Sequence, residues 1–125
     1  MYPDNLKYTT THQWVRVEDD SAVVGITTYA QEQLGEVVYL DLPQVDDEVT
    51  AGEVMGSVES VKSISDIYSP VSGKVLAVNE PLMDAPATIN EDPYGEGWMV
   101  KLAIANPSEI DGLLDAVAYQ AELEV

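Results

Sequence analysis

One lysine stands out by its setting. Residues 54–70 read Val-Met-Gly-Ser-Val-Glu-Ser-Val-Lys-Ser-Ile-Ser-Asp-Ile-Tyr-Ser-Pro. Val58, Val61, Ile64 and Ile67 recur every third residue, which admits a helix. The stretch is, however, mostly valine, isoleucine and serine, all mediocre in helices, with glycine before and proline after. A β-hairpin with Val61 and Lys62 at its tip is the better reading. The tip lacks the Asn-Gly pair that two-residue turns prefer, so the turn type stays open. A lysine at such a tip is sterically free on most sides, so another enzyme can acylate its amine and the product can swing. The chain has four lysines, and the other three, Lys7, Lys74 and Lys101, lie in ordinary surface or strand contexts. The commonest fate of any lysine is nonetheless a solvated turn.

Other chemistries find little support. With no cysteine, disulfides, thiolate catalysis and cysteine metal sites are excluded. The one histidine, His12, reads as a local hydrogen-bonding residue, since no nucleophile can be assigned beside it. Residues 90–97, with Asn90, Asp92 and Tyr94, lack the spaced ligands of a calcium loop, and packing next to Trp98 is the preferred role. No catalytic triad and no phosphate-binding glycine loop is recognisable, so the chain is expected not to be an enzyme and to hold no metal.

The elements that must position Lys62 are mainly strands. From His12 to Thr27 the pattern is strand, acidic turn, strand. A short helix is expected near 28–34, with Thr28 as cap, Gln31 completing a capping box and Gly35 as its stop. Residues 36–42 form a β-rich run closed by Pro43, and closely spaced strands and turns follow to Glu80. A last strand spans Trp98 to Ile104. C-terminal helices are expected near 107–122, with Asn106 as cap and Glu109 completing the capping pattern. Ile110, Leu113, Leu114, Val117 and Ala121 would form one apolar face there, with a break possible near Asp115. Val49–Val54 before the lysine and Val71–Val75 after it look like two similar β units joined by a central hairpin. Length and composition fit one domain over residues 1–125.

Glu59-Ser60-Val61-Lys62-Ser63, with Gly73 eleven residues beyond the lysine, resembles the lipoylation motif of the biotinyl/lipoyl carrier superfamily. The biotin branch places methionines beside its lysine, and none occurs here. The surrounding phrases are similar to those of the glycine cleavage H-protein family. They include His12-Gln13-Trp14-Val15, Gly25-Ile26-Thr27, the run Ala30 to Tyr39, and Ser69-Pro70-Val71-Ser72-Gly73. Val78-Asn79-Glu80, Asn90 to Trp98 and Leu113-Leu114 continue the series. The likeness runs from about residue 6 to 120. Each phrase is weak alone, and their order and spacing make them specific.

The resemblance implies a fold, a cofactor and partners. The fold would be mainly β, a barrel-sandwich hybrid motif of the lipoyl-domain hammerhead kind. Lipoate would be joined to Lys62 as an amide, with Glu59 and Gly73 recognised by a lipoate ligase or an octanoyl/lipoyl transferase. The protein would be a non-catalytic carrier of the glycine cleavage system. It would take the aminomethyl group of glycine from the pyridoxal-phosphate glycine decarboxylase (P protein) to the aminomethyltransferase (T protein). Dihydrolipoyl dehydrogenase (L protein) would reoxidise the dithiol. The loaded arm is thought to fold into a surface cleft in this family, where an ammonium group needs carboxylate or hydroxyl partners. By motif position Asp66 supplies the acid and Thr11 the hydroxyl. Gln13 stands where glutamate is common, and Gln33 where some members carry histidine, so a loaded arm is expected to be less protected here. Two other readings stay open: an H-like protein relaying lipoate to other complexes, and an unlipoylated acidic interaction domain that kept the fold.

The charge is extreme, 23 acidic residues against 5 basic for a net charge of −18. Small soluble domains usually sit at about 2–8 in magnitude. Such a field repels nucleic acid and anionic membranes, so neither is an expected partner. It fits either a saline cytoplasm that screens self-repulsion or an acidic docking face for basic enzymes, with salt adaptation preferred. No signal peptide or bilayer-spanning run is recognisable, and a cytoplasmic location is expected.

Overall fold

The computed structural model describes residues 2–123. It contains nine strands in two antiparallel sheets with short helices at their margins. The first strands are β1 (Lys7–Tyr8), β2 (Gln13–Glu18) and β3 (Ser21–Ile26). Helix α1 (Thr28–Leu34) leads to β4 (Val37–Asp41), then β5 (Glu48–Val49), β6 (Val54–Ser60), β7 (Ile64–Tyr68) and β8 (Gly73–Val78). Helices α2 (Glu80–Asp84) and α3 (Thr88–Glu91) precede β9 (Val100–Ala103). A 3-10 turn (Pro107–Gly112) and α4 (Ala116–Leu123) end the described chain. The larger sheet runs β1-β2-β3-β9-β8-β5 and the smaller β4-β6-β7.

The main core lies between the sheets. Val15, Val24 and Leu102 from the larger sheet meet Leu40, Val58 and Ile67 from the smaller. The alternation in β6 and β7 follows from the two-residue period of a strand: Val58 and Ile67 point inward, whereas Val61 and Ile64 are 68% and 66% exposed. A helix would have placed all four on one face. The phrases before and after Lys62 do come together, since β5 pairs with β8 through Glu48 opposite Lys74 and Val49 opposite Gly73.

Three expectations shift. The cap of α1 is Thr27, whose hydroxyl accepts from the Ala30 amide at 3.2 Å. Thr28 is engaged instead by the Tyr94 hydroxyl, which lies 3.0 Å from its amide and 3.1 Å from its side-chain oxygen. At the C-terminal turn Asn106 caps as expected, accepting from the Ser108 amide. The Glu109 carboxylate does not close a capping box; it accepts from the Ser72 amide at 2.7 Å and the Ser72 hydroxyl at 2.9 Å. Last, the chain breaks before α4, where Leu114 bridges to Tyr8, and α4 buries Ala116 and Tyr119. Val117 is 78% exposed because the stacked Tyr8–Tyr119 pair, centroids 4.9 Å apart, selects the opposite face.

Candidate functional site

Lys62 lies at the tip of the β6–β7 hairpin and is exposed. Ser60 makes the turn. Its amide donates to the Ser63 carbonyl at 2.7 Å, and its buried hydroxyl accepts from the amides of Lys62 (3.3 Å) and Ser63 (3.1 Å). A serine side chain thus stands in for a backbone acceptor, which is why no Asn-Gly pair is required. One backbone bond leaves the hairpin at its tip, from the Val61 amide to the Glu36 carbonyl at 3.1 Å.

The lysine stem lies over Gly35, the residue that ends α1. A methyl group there would sit 3.3 Å from Lys62 Cε and 3.9 Å from Nζ. Gly35 also holds φ 80°, ψ −152°, a conformation open essentially to glycine alone. Both ion pairs found among the described residues converge on Glu18, from Arg16 and Lys101, and leave Lys62 out.

A cleft of about 270 Å³ opens beside the hairpin, with Ser63 to Ile67 forming one wall. Thr11, His12 and Gln13 form the opposite side, and Tyr29, Ala30, Gln33 and Leu34 of α1 close it. Ile26, Val58 and Ile67 give it an apolar floor, with Asp66 exposed at the rim. The cleft residues expected from the motif, Thr11, Gln13 and Asp66, therefore share one cavity with Gln33. Gln13 is 2% exposed. Its side-chain carbonyl accepts from the hydroxyls of Thr9 (2.9 Å) and Thr11, and its amide donates to the Thr11 carbonyl at 2.9 Å.

His12 is held by structure. It sits at φ 73°, and its Nδ1 lies 2.7 Å from the Tyr119 hydroxyl, which lies 2.8 Å from that of Thr27. The Thr27 hydroxyl already accepts from Ala30, and its own proton needs an acceptor in a fully buried site. That orders the protons: Thr27 donates to Tyr119, Tyr119 donates to Nδ1, and His12 carries its proton on Nε2. Burial lowers the His12 pKa below 6.5 and raises that of Tyr119 to about 12.

Glu59 is exposed on the outer face of the smaller sheet, opposite Tyr39 on β4 and Ile64 on β7. Gly73 is not at the tip. It opens β8, past the base of the hairpin, where a Cβ would fall 1.6 Å from the Ala103 carbonyl oxygen. Close backbone approach is by itself enough to require glycine here. Residues 92–97 pack against the larger sheet: the Trp14 indole donates to the Pro93 carbonyl at 2.9 Å, and Asp92 accepts from the Glu96 amide. No group of metal-ligating side chains occurs among the described residues, and no described helix is long and apolar enough to cross a membrane.

Ser60, Tyr119 and Asn90 are site residues that sequence reasoning did not single out for these roles. The Ser-x-x-Ser spacing at 60–63 is a signal for the first. The other two act across the fold and leave no local trace.

The geometry has a counterpart among known proteins. The family model for the glycine cleavage H-protein matches residues 6–125. The chain belongs to that family. It is 52% identical over 122 residues to a glycine cleavage system H protein of Anaeromyxobacter sp. (strain K), covering 98% of this chain and 95% of that one. Another H protein, from Symbiobacterium thermophilum, is 55% identical over 119 residues, covering 95% and 93%. A crystal structure of a glycine cleavage system H protein from Mycobacterium marinum superimposes with a TM-score of 0.91 at 38% identity, covering 98% of this chain and 99% of that one. The mainly β architecture of two antiparallel sheets with marginal helices is thus an H-protein fold.

Proposed function

We propose that residues 1–125 form one lipoate-bearing carrier domain of the glycine cleavage system, with the cofactor on Lys62. In this reading the protein carries the aminomethyl group of glycine from the P protein to the T protein, with reoxidation by the L protein. The chain itself catalyses nothing, and a cytoplasmic site of action is part of the proposal. The observation that carries the reading is an exposed lysine, without an ion pair among the described residues, at the tip of a hairpin whose outgoing strand walls an adjacent cleft.

The residues present fit the group. A tethered acyl arm needs an accessible amine, and Lys62 provides one. It needs an apolar bed near the root, which Ile26, Ala30, Leu34 and Val58 supply, in a volume near the lower bound of ligand pockets, about 300 Å³. The bound cofactor supplies a redox-active dithiol that this cysteine-free chain lacks.

The protein's own part is placement. The two sheets fix the root of the tether, so the arm explores a limited volume and meets partner sites at high effective concentration. Acylation removes the lysine charge, which lets the arm rest on apolar surface. Asp66 at the rim is the proposed partner of a cationic load, with Thr11 and Gln13 beside it. Glu59, three residues before the lysine on the same hairpin, is proposed as a contact for the lipoate ligase or transferase.

Intact-mass spectrometry of the chain co-expressed with lipoylating enzymes tests the proposal. The wild type should gain one lipoyl increment, and Lys62→Arg none. A wild type left unmodified, or a variant that still gains the increment, overturns it.

A further inference from the structure

Three contacts converge on the bend that joins α1 to β4. The Asn90 side chain, on α3, donates to the Gly35 carbonyl and to Gln31 Oε1, both at 2.8 Å, and accepts from the Val37 amide at 3.0 Å. Its two amide hydrogens and its carbonyl are all used, so chemistry alone orients it. Between the two clamped backbone groups lies the Glu36 carbonyl, which takes the Val61 amide, the bond that fastens the hairpin tip. The Lys62 stem lies on Gly35 itself. Asn90 thus holds the surface on which the lysine rests and the acceptor beside its root, its own hydrogen bonds all going to other residues.

We propose that Asn90, acting through the Gly35–Val37 bend, is a positioning residue for Lys62 that aims the ε-amine at the acylating enzyme. The inference rests on the carrier reading above. In the reaction concerned, the neutral Lys62 amine attacks the carbonyl carbon of a lipoyl adenylate. A C–N bond forms, the mixed-anhydride C–O bond breaks, AMP leaves with the electron pair, and the surplus amine proton passes to solvent. Misplacing an attacking atom by a fraction of an ångström lowers the rate of such a step rather than the affinity of the two proteins. Without the clamp, the stem leaves Gly35 and the amine samples directions that do not lead to attack.

Asn90→Asp is nearly isosteric and reverses the chemistry, turning oxygen toward the Gly35 carbonyl and Gln31 Oε1. The full-length unmodified chain, this variant and Asn90→Ala would each be given to a purified lipoate ligase with lipoate and ATP. In a folded Asn90→Asp protein, kcat for modification should fall about ten-fold with KM within about two-fold. The nuclear Overhauser effect between Lys62 Hε and Gly35 Hα, expected in the wild type, should vanish. An unchanged kcat, or a loss confined to KM, overturns the inference. If Asn90→Asp does not fold, Asn90→Ala, which removes the clamp without adding a charge, carries the same kinetic test. A wild type lacking the Overhauser effect overturns the inference without any variant. A wild type that shows the effect but is never lipoylated overturns the carrier reading instead.

Discussion

Thr11 and Gln13 close a ring on one another: the Thr11 hydroxyl donates to the Gln13 side-chain carbonyl, and the Gln13 amide returns a hydrogen bond to the Thr11 carbonyl. Both residues line the cleft beside Lys62, yet their side chains are engaged with one another and with the Thr9 hydroxyl. A glutamate at 13 could not make this ring, because a carboxylate oxygen would face the Thr11 carbonyl.

Gln13→Glu should therefore cost about 1–3 kcal/mol, the usual range for a buried polar group left without its partner. The same change would place a negative charge in the cleft and lengthen the life of a cationic load on the lipoyl arm. The half-life of the loaded protein in molar potassium chloride measures this. An unchanged half-life would remove Gln13 from the account of the cleft.

Ser60→Ala removes the acceptor of the Lys62 and Ser63 amides. Stability should fall by about 1–2 kcal/mol, and hydrogen exchange at those two amides should accelerate far more than at Val58 in the strand. Uniform exchange along the hairpin would mean that the hydroxyl does not make the turn.

Gly73→Ala separates scaffolding from recognition. A methyl group 1.6 Å from the Ala103 carbonyl oxygen cannot be accommodated without moving β8 from the end of β9. The variant should lose about 3 kcal/mol or more, read as the midpoint of urea unfolding. A variant of wild-type stability that resists lipoylation would instead make this glycine a contact of the modifying enzyme.

The pair formed by half-buried His12 and buried Tyr119 has two pH signatures. The folded protein holds His12 neutral below its ordinary value of 6.5. Its contribution to stability is therefore complete above pH 6.5 and is lost as pH falls through the depressed folded value. Tyr119 works in the other direction: its contribution is complete below pH 10 and is lost as pH rises from 10 towards about 12. Between pH 7 and 5 the wild type should lose more stability than His12→Asn, whose side chain tolerates φ 73°. Parallel melting curves would remove His12 as the titrating group.

The charge of −18 is almost uncompensated in space, since the two ion pairs among the described residues share Glu18. Thermal stability should rise by several degrees from millimolar to molar potassium chloride as self-repulsion is screened. A flat response would remove salt adaptation and leave docking to basic enzymes as the reason for the acidity.

The lysine hairpin was legible because valine, isoleucine and serine bounded by Gly56 and Pro70 disfavour a helix locally, even though Val58, Val61, Ile64 and Ile67 recur at a spacing that a helix would also allow. The cleft was legible only through family resemblance, which singled out Thr11, Gln13 and Asp66 from segments far apart in the chain. What escaped was settled at a distance. Tyr94 occupies Thr28 and moves the helix cap back to Thr27, and Ser72 draws Glu109 away from its own turn. The apolar spacing of Val117 and Ala121 misled because the Tyr119 ring outweighs both in buried area. Asn90 reaches more than fifty residues back to Val37, Gly35 and Gln31, and no local pattern announces such a contact.

The bond between His12 and Tyr119 joins residues 107 positions apart. Closing so long a loop is slow compared with zipping a hairpin. The lysine turn, closed between Ser60 and Ser63, is therefore expected to form before Tyr119 pins His12 at the side of the cleft. On the carrier reading proposed above, shelter for an attached cargo would then depend on a contact made across nearly the whole chain, while display of the amine would depend only on a four-residue turn.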